Sequence, residues 1–222
     1  GFGYNGAHQW LANRGYAVLS VNFRASTGFG KKFLNAGNKQ WGLTMHNDLL
    51  DAVDWAVKAG VTSADKVAIM GGSYGGYAAL AGVAFTPTTF ACAVDIVGPS
   101  NLETLLGTIP PYWEAGKKQM YSRMGDPTTE EGKAILRAAS PLYKADQIVR
   151  PLLIGQGAND PRVKQAESDQ IVKAMKEKGT PAGFALGNAT GDGLWCNWLL
   201  WSHGGKLVYK DNKVVIDSPE RR

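Results

Sequence analysis

The chain has 222 residues, 44% apolar and 19% charged, with 24 Lys and Arg against 19 Asp and Glu for a net charge of +5. That is an ordinary globular composition, long enough for one α/β domain with a sizeable core. The basic residues are scattered, the closing Glu220-Arg221-Arg222 is too short for a nucleic-acid arm, and no apolar run reaches ~18 residues, so neither a nucleic-acid nor a membrane partner is expected.

In chain order, "QWLANRG" (9–15) reads as a helix end stopped by Gly15, and "YAVLSVNF" (16–23) as a strand. "RASTGFGKKF" (24–33) is a glycine-rich loop. In "MHNDLLDAVDWAVKAG" (45–60), Leu49, Ala52, Val53, Ala56 and Val57 recur at helical spacing, with Gly60 as the stop. "KVAIMG" (66–71) predicts a strand with too few polar positions to be half exposed, and "YAALAGVAF" (77–85) a helix. "FACAVDIVG" (90–98) and "PLLIGQG" (151–157) are buried strands, and residues 162–179 form an amphipathic helix ended by Gly179. Near-continuous apolar strands alternating with helices imply a mostly parallel sheet covered on both faces. The stretch 99–146, with "IPPYW", "MGDP" and "ASPLY", interrupts the rhythm before the penultimate core strand. It is read either as a substrate-binding insert or as a surface excursion with its own small core.

Gly71-Gly72-Ser73-Tyr74-Gly75 matches G-x-S-x-G between a predicted strand and a predicted helix. In a nucleophile elbow that context lifts the serine Oγ above the sheet. It also points the backbone N–H of the next residue, Tyr74, toward a developing oxyanion. Gly71 and Gly75 are expected to relieve crowding on both sides. The competing reading makes Ser73 a helix cap. An elbow needs an acid and a base later in the chain. Asp160, at the end of "PLLIGQGAND", is the candidate acid, with Asp160-Pro161 as an alternative cap and first turn of the following helix. Asp95 and Asp146 are weaker candidates. Of three histidines, His8 precedes the elbow, and His46 opens a helix where a solvated or capping role is natural. His203 fits the order Ser, Asp, His; its alternative is a solvent-exposed side chain without a partner. Cys92 sits in an apolar run, and two distant cysteines with scattered histidines make neither a disulfide framework nor a metal site. No cofactor is expected, and the cytoplasm is the default compartment, with no secretory leader pattern at a start that is Gly and reads as processed or trimmed.

At these residues the chain resembles a known family. "QWLANRGYAVLSVNFRASTGFGKKF", "DKVAIMGGSYGGY", "ACAVDIVGPSNL" and "PLLIGQGANDPRVKQAESDQIV" are similar to the catalytic domain of the prolyl oligopeptidase family, in its acylaminoacyl-peptidase and dipeptidyl-peptidase branch. The likeness runs from residue 4 to about 181. It implies an α/β-hydrolase fold, Ser73 as nucleophile, Tyr74 as an oxyanion donor and Asp160 as triad acid. It also implies hydrolysis of short peptides, N-acyl amino acids and simple esters. In the family an "HGGP"-type oxyanion segment, the first strands of the sheet and a β-propeller precede the point where this sequence starts. A compact hydrolase working without them would favour esters, lactones and other small activated substrates.

After "KEKGTP" the sequence leaves the family pattern, so residues 1–186 are read as the core and 187–222 as a divergent tail. Trp195, Trp198 and Trp201 predict a core-covering helix or a patch for self-association, and "KLVYKDNKVVI" (206–216) a hairpin turning at Asp211-Asn212. Three functions fit: a serine hydrolase of small acyl substrates, the oligopeptidase domain of a longer protein, and an inactive α/β module that binds.

Overall fold

A computed structural model of the chain describes residues 3–179 and the strand segments Ala182–Gly187, Lys206–Lys210 and Lys213–Asp217. Four parallel strands make the main sheet in the order β1 (Ala68–Gly72), β2 (Cys92–Ile96), β3 (Leu152–Gly157) and β4 (Ala182–Gly187). Ile69 lies beside Ala93, Ala93 beside Leu152, and Leu152 beside Ala182, so the carboxyl ends of all four strands share one edge.

Helix α1 (Gly6–Ala12) is capped by Asn5, whose Oδ1 accepts from the N–H groups of Ala7 and His8 at 3.0 and 3.1 Å. The following run 16–23 does not form the expected strand. A strand exists through its ladder, and among the described residues no strand lies alongside this run. Its first apolar side chains stay at the surface, with Tyr16 63% and Leu19 52% exposed, while Val21 and Phe23 are half-buried. The glycine-rich segment after it is shorter than expected, because α2 (Gly30–Asn35) begins inside it. Helix α3 (Thr44–Lys58) carries the predicted apolar stripe, half-buried apart from the fully packed Ala56, and ends before Gly60 at φ 73°.

β1 is apolar yet half exposed, against expectation. It is the edge strand of the described sheet, and Ala68, Met70 and Gly72 face outward while Ile69 packs into the core. Helix α4 (Tyr74–Phe85) is the opposite case: it has no polar face, and every residue from Gly76 to Ala84 is buried. Its residues Ala79, Leu80, Val83 and Ala84 form one core with Ala93, Leu152 and Ile154 of the sheet. Ile171, Val172 and Met175 of α8 (Gln165–Glu177) close that core.

The insert is helical: α5 (Leu102–Gly107), α6 (Lys117–Met124) and α7 (Glu130–Ala138), with 3-10 segments at Pro111–Gly116 and Pro141–Gln147. Asn101 caps α5 and Thr129 caps α7. Leu102, Leu105, Leu106, Met124 and Leu136 form a second core, and it is not the insert's own. Tyr77 and Ala81 of α4 and Val163 complete it, and the Tyr77 hydroxyl donates to the Ala139 carbonyl at 2.7 Å. β5 (Lys206–Lys210) and β6 (Lys213–Asp217) pair antiparallel with Lys210 opposite Lys213, and the expected turn residues Asp211 and Asn212 lie outside the described residues. The Trp-rich stretch, Cys196 and His203 lie outside the described residues.

Candidate active site

β1 delivers Ser73 directly to the start of α4. Ser73 sits at φ 57° and ψ −115°, a positive-φ conformation that L-residues adopt only under constraint. The constraint comes from both sides. The Ser73 N–H donates to the Ile96 carbonyl on β2 at 2.8 Å, and its carbonyl accepts from the Tyr77 N–H at 3.0 Å. The side chain makes no capping bond and is exposed, which removes the helix-cap reading.

Glycine is required at the elbow, though not in the expected pair. A Cβ on Gly71 would meet the Gly75 backbone at 2.6 Å, whereas one on Gly75 would meet nothing within 4 Å. The second crowded position is Gly76, packed against the Asp95 carboxylate and the backbone of Gly98, the latter at 2.8 Å from an added Cβ.

Tyr74 opens α4, so its N–H has no acceptor within the helix. Its ring is packed at 4.6 Å edge-on to Trp41, 5.0 Å from Phe23 and 5.7 Å from Tyr77. Burial first, and the nearby Asp48 charge second, push its phenol far above the ordinary range, so it stays protonated. Asp48 in turn anchors the loop that presents Phe23. It accepts from the Arg24 N–H at 2.8 Å and from Nε at 2.9 Å on Oδ2, and from Nη2 at 2.6 Å on Oδ1. Those Arg24 bonds hold the Asp48 carboxyl below its usual value. Sequence reading missed this pair, since nothing in the spacing of 24 and 48 announces it.

Asp160 is 5% exposed and follows the carboxyl end of β3, at the same edge of the sheet as Ser73. With β2 between them, β1 and β3 stand about 10 Å apart, two strand spacings. Its Oδ1 accepts from the N–H groups of Arg162 and Val163 at 2.8 and 2.9 Å. It caps a turn and not the helix: α8 starts later, at Gln165, so Pro161 is not its first residue. Asp95 is mid-strand and fully buried. Its Oδ1 accepts from the Gly98 N–H at 2.7 Å, Oδ2 has no partner among the described residues, and burial pushes its carboxyl well above the usual carboxylate range. Asp146 is exposed in a 3-10 segment of the insert.

The histidines separate clearly. His46 is neither solvated nor a cap. It is 5% exposed, its Nε2 lies 3.1 Å from the Thr86 hydroxyl, and burial lowers its pKa. The Thr86 hydroxyl already donates to the Gly82 carbonyl, so the imidazole Nε2–H donates to Thr86 and Nδ1 has no partner among the described residues. Thr86 caps the far end of α4, about 18 Å from Ser73 along twelve residues of helix, which rules His46 out of the site. His8 is 3.4 Å from the Ser20 hydroxyl on the exposed amino-terminal segment.

An exposed serine on a positive-φ turn between a parallel strand and a buried helix, with an aspartate two strands along the same edge, defines an α/β hydrolase. The profile of the prolyl oligopeptidase family matches residues 2–190. The chain is 68% identical over 193 residues to dipeptidyl aminopeptidase BIII of Pseudoxanthomonas mexicana, covering 87% of this chain and 28% of that protein. It is 54% identical over 194 residues to dipeptidyl peptidase family member 6 of Caenorhabditis elegans, covering 87% and 26%. It thus spans about a quarter of the length of these relatives. A puromycin-hydrolyzing peptidase of Mycobacterium tuberculosis superposes with a TM-score of 0.70 at 28% identity, over 78% of this chain and 26% of that one. The acylaminoacyl peptidase of Pyrococcus horikoshii, at 22% identity and a TM-score of 0.70 over 78% and 28%, shares the fold. The chain belongs to the prolyl oligopeptidase family.

Proposed function

We propose that this chain carries the catalytic serine of a hydrolase that forms an acyl-enzyme on Ser73, acting on short or N-acylated peptides and on small esters or lactones. One observation carries the reading: Ser73 is held at φ 57° with its side chain exposed and no local hydrogen bond, a conformation whose cost is met only if the hydroxyl is wanted there. Peptides head the list because two of its relatives are named dipeptidyl aminopeptidase BIII and dipeptidyl peptidase family member 6. The cytoplasm is the proposed compartment, on composition alone; no helix among the described residues is long and apolar enough to cross a membrane.

In this mechanism Ser73 Oγ attacks the acyl carbon and its proton passes to His203, the histidine that follows both other groups in the sequence. The Tyr74 N–H donates to the oxyanion. Asp160 Oδ2 accepts the other ring N–H and stabilises the imidazolium without taking its proton. Collapse expels the amine or alcohol, which takes the proton from His203. Water then attacks the ester on Ser73, activated by the same base, and the acid leaves.

The test is Ser73→Ala, assayed with a nitrophenyl short-chain ester and a fluorophosphonate probe. Turnover and labelling vanish while the far-UV spectrum is unchanged. Wild-type turnover in the alanine variant would end the assignment.

A further inference from the structure

The turn carrying Asp160 is held from behind by two buried polar side chains with no part in the chemistry above. Gln156, on β3 and 1% exposed, donates from Nε2 to the carbonyls of Gly157 and Val163, each at 3.0 Å. Its Oε1 accepts from the hydroxyl of Ser168, on α8 and fully buried, at 2.8 Å. One amide group therefore ties together both ends of the turn. Val163 is the joint. Its N–H donates to Asp160 Oδ1, its carbonyl accepts from Gln156, and its side chain packs in the second core with Leu102 and Met124.

A Leu or Met would fill this site without the desolvation a buried amide incurs. The amide supplies something packing does not: two donors aimed at the two ends of one turn. We propose that Gln156, oriented by Ser168, is a positioning residue for Asp160, setting where the carboxylate stands relative to the base. The proposal rests on the reading of Asp160 as the triad acid.

The experiment measures kcat, KM and Tm on a nitrophenyl short-chain ester for Gln156→Met and Ser168→Ala, each alone and combined with Asp160→Asn. Asp160→Asn alone lowers kcat by roughly 10⁴, the loss that follows when the imidazole is left in the wrong tautomer. Gln156→Met lowers kcat by about 10- to 100-fold with KM within about threefold, the scale of an ångström of misplacement. Ser168→Ala has a smaller effect in the same direction. It removes one hydroxyl without adding volume, so it carries the comparison if Gln156→Met does not fold. On the Asp160→Asn background neither change lowers kcat by more than about twofold, while both lower Tm in both backgrounds. A normal kcat with only a lowered Tm, or the same kcat loss in both backgrounds, refutes positioning and leaves Asp160 as the acid. A near-wild-type kcat for Asp160→Asn refutes instead the reading of Asp160, and the proposal with it.

Discussion

Replacing Ser73 by glycine should stabilise the protein while abolishing turnover. Ser73 is a non-glycine residue at φ 57°, ψ −115°, held there by its bonds to Ile96 and Tyr77. Such a conformation costs about 1–3 kcal/mol, which glycine does not incur. Glycine gives back about 0.5–1 kcal/mol through the greater freedom of its unfolded chain. The side chain makes no capping bond, so its removal forfeits nothing further. The net gain is about 0.5–2 kcal/mol, worth roughly 1–8 °C in Tm for a chain of this size. The control is Ser73→Ala, which removes the hydroxyl and keeps the Cβ that causes the strain. Calorimetry of both variants beside the wild type, with ester turnover measured in parallel, separates the two effects. A glycine variant melting at or below the alanine variant would show that the elbow is not strained.

His203→Ala should remove most ester turnover and the pH–rate limb near the ~6.5 of an unperturbed imidazole; undiminished kcat with Ser73 still required would refute it as the base. His46 is held neutral by burial, with its pKa lowered from 6.5, so its contribution to stability is complete above about pH 6.5 and is lost as pH falls through the lower folded value. Melting curves between about pH 8 and 5 should therefore fall more steeply for the wild type than for His46→Gln, and parallel curves would contradict this. Tyr77→Phe should cost about 1–3 kcal/mol in urea denaturation, because it strips the donor from the buried Ala139 carbonyl; a change of only a few tenths would mean that carbonyl finds another donor.

The features legible in the sequence were those set by local chemistry. Apolar runs bounded by glycine located β1 to β3, α4 and α8, and Gly15, Gly60 and Gly179 stop their helices at positive φ as expected. Ser73 could be read because a strained turn between strand and helix needs glycine beside it. What escaped belongs to contacts between distant segments. Whether 16–23 forms a strand depends on a neighbour, not on its own valines and leucines. The exposure of β1 follows from its place at the edge of the described sheet. Gly76 outranks Gly75 because Asp95 and Gly98 arrive from another strand. His46 looked solvated beside Asn47 and Asp48, yet the helix phase turns it onto Thr86 and Phe85. Asp160-Pro161 had the composition of a helix start, but the two N–H groups that Asp160 collects close a turn ahead of α8.

Helix α4 serves both cores, giving Leu80 and Val83 to one and Tyr77 and Ala81 to the other. The insert therefore cannot melt away as a separate layer. Its departure would strip one side of a helix that has no polar face to offer water, and would take from Val163 the packing that seats the Asp160 turn. Sheet and insert accordingly form one cooperative unit. Denaturation followed by tryptophan fluorescence, to which all seven tryptophans contribute, Trp113 of the insert among them, and by far-UV circular dichroism should give coincident transitions, with no hydrolytic activity outliving the insert.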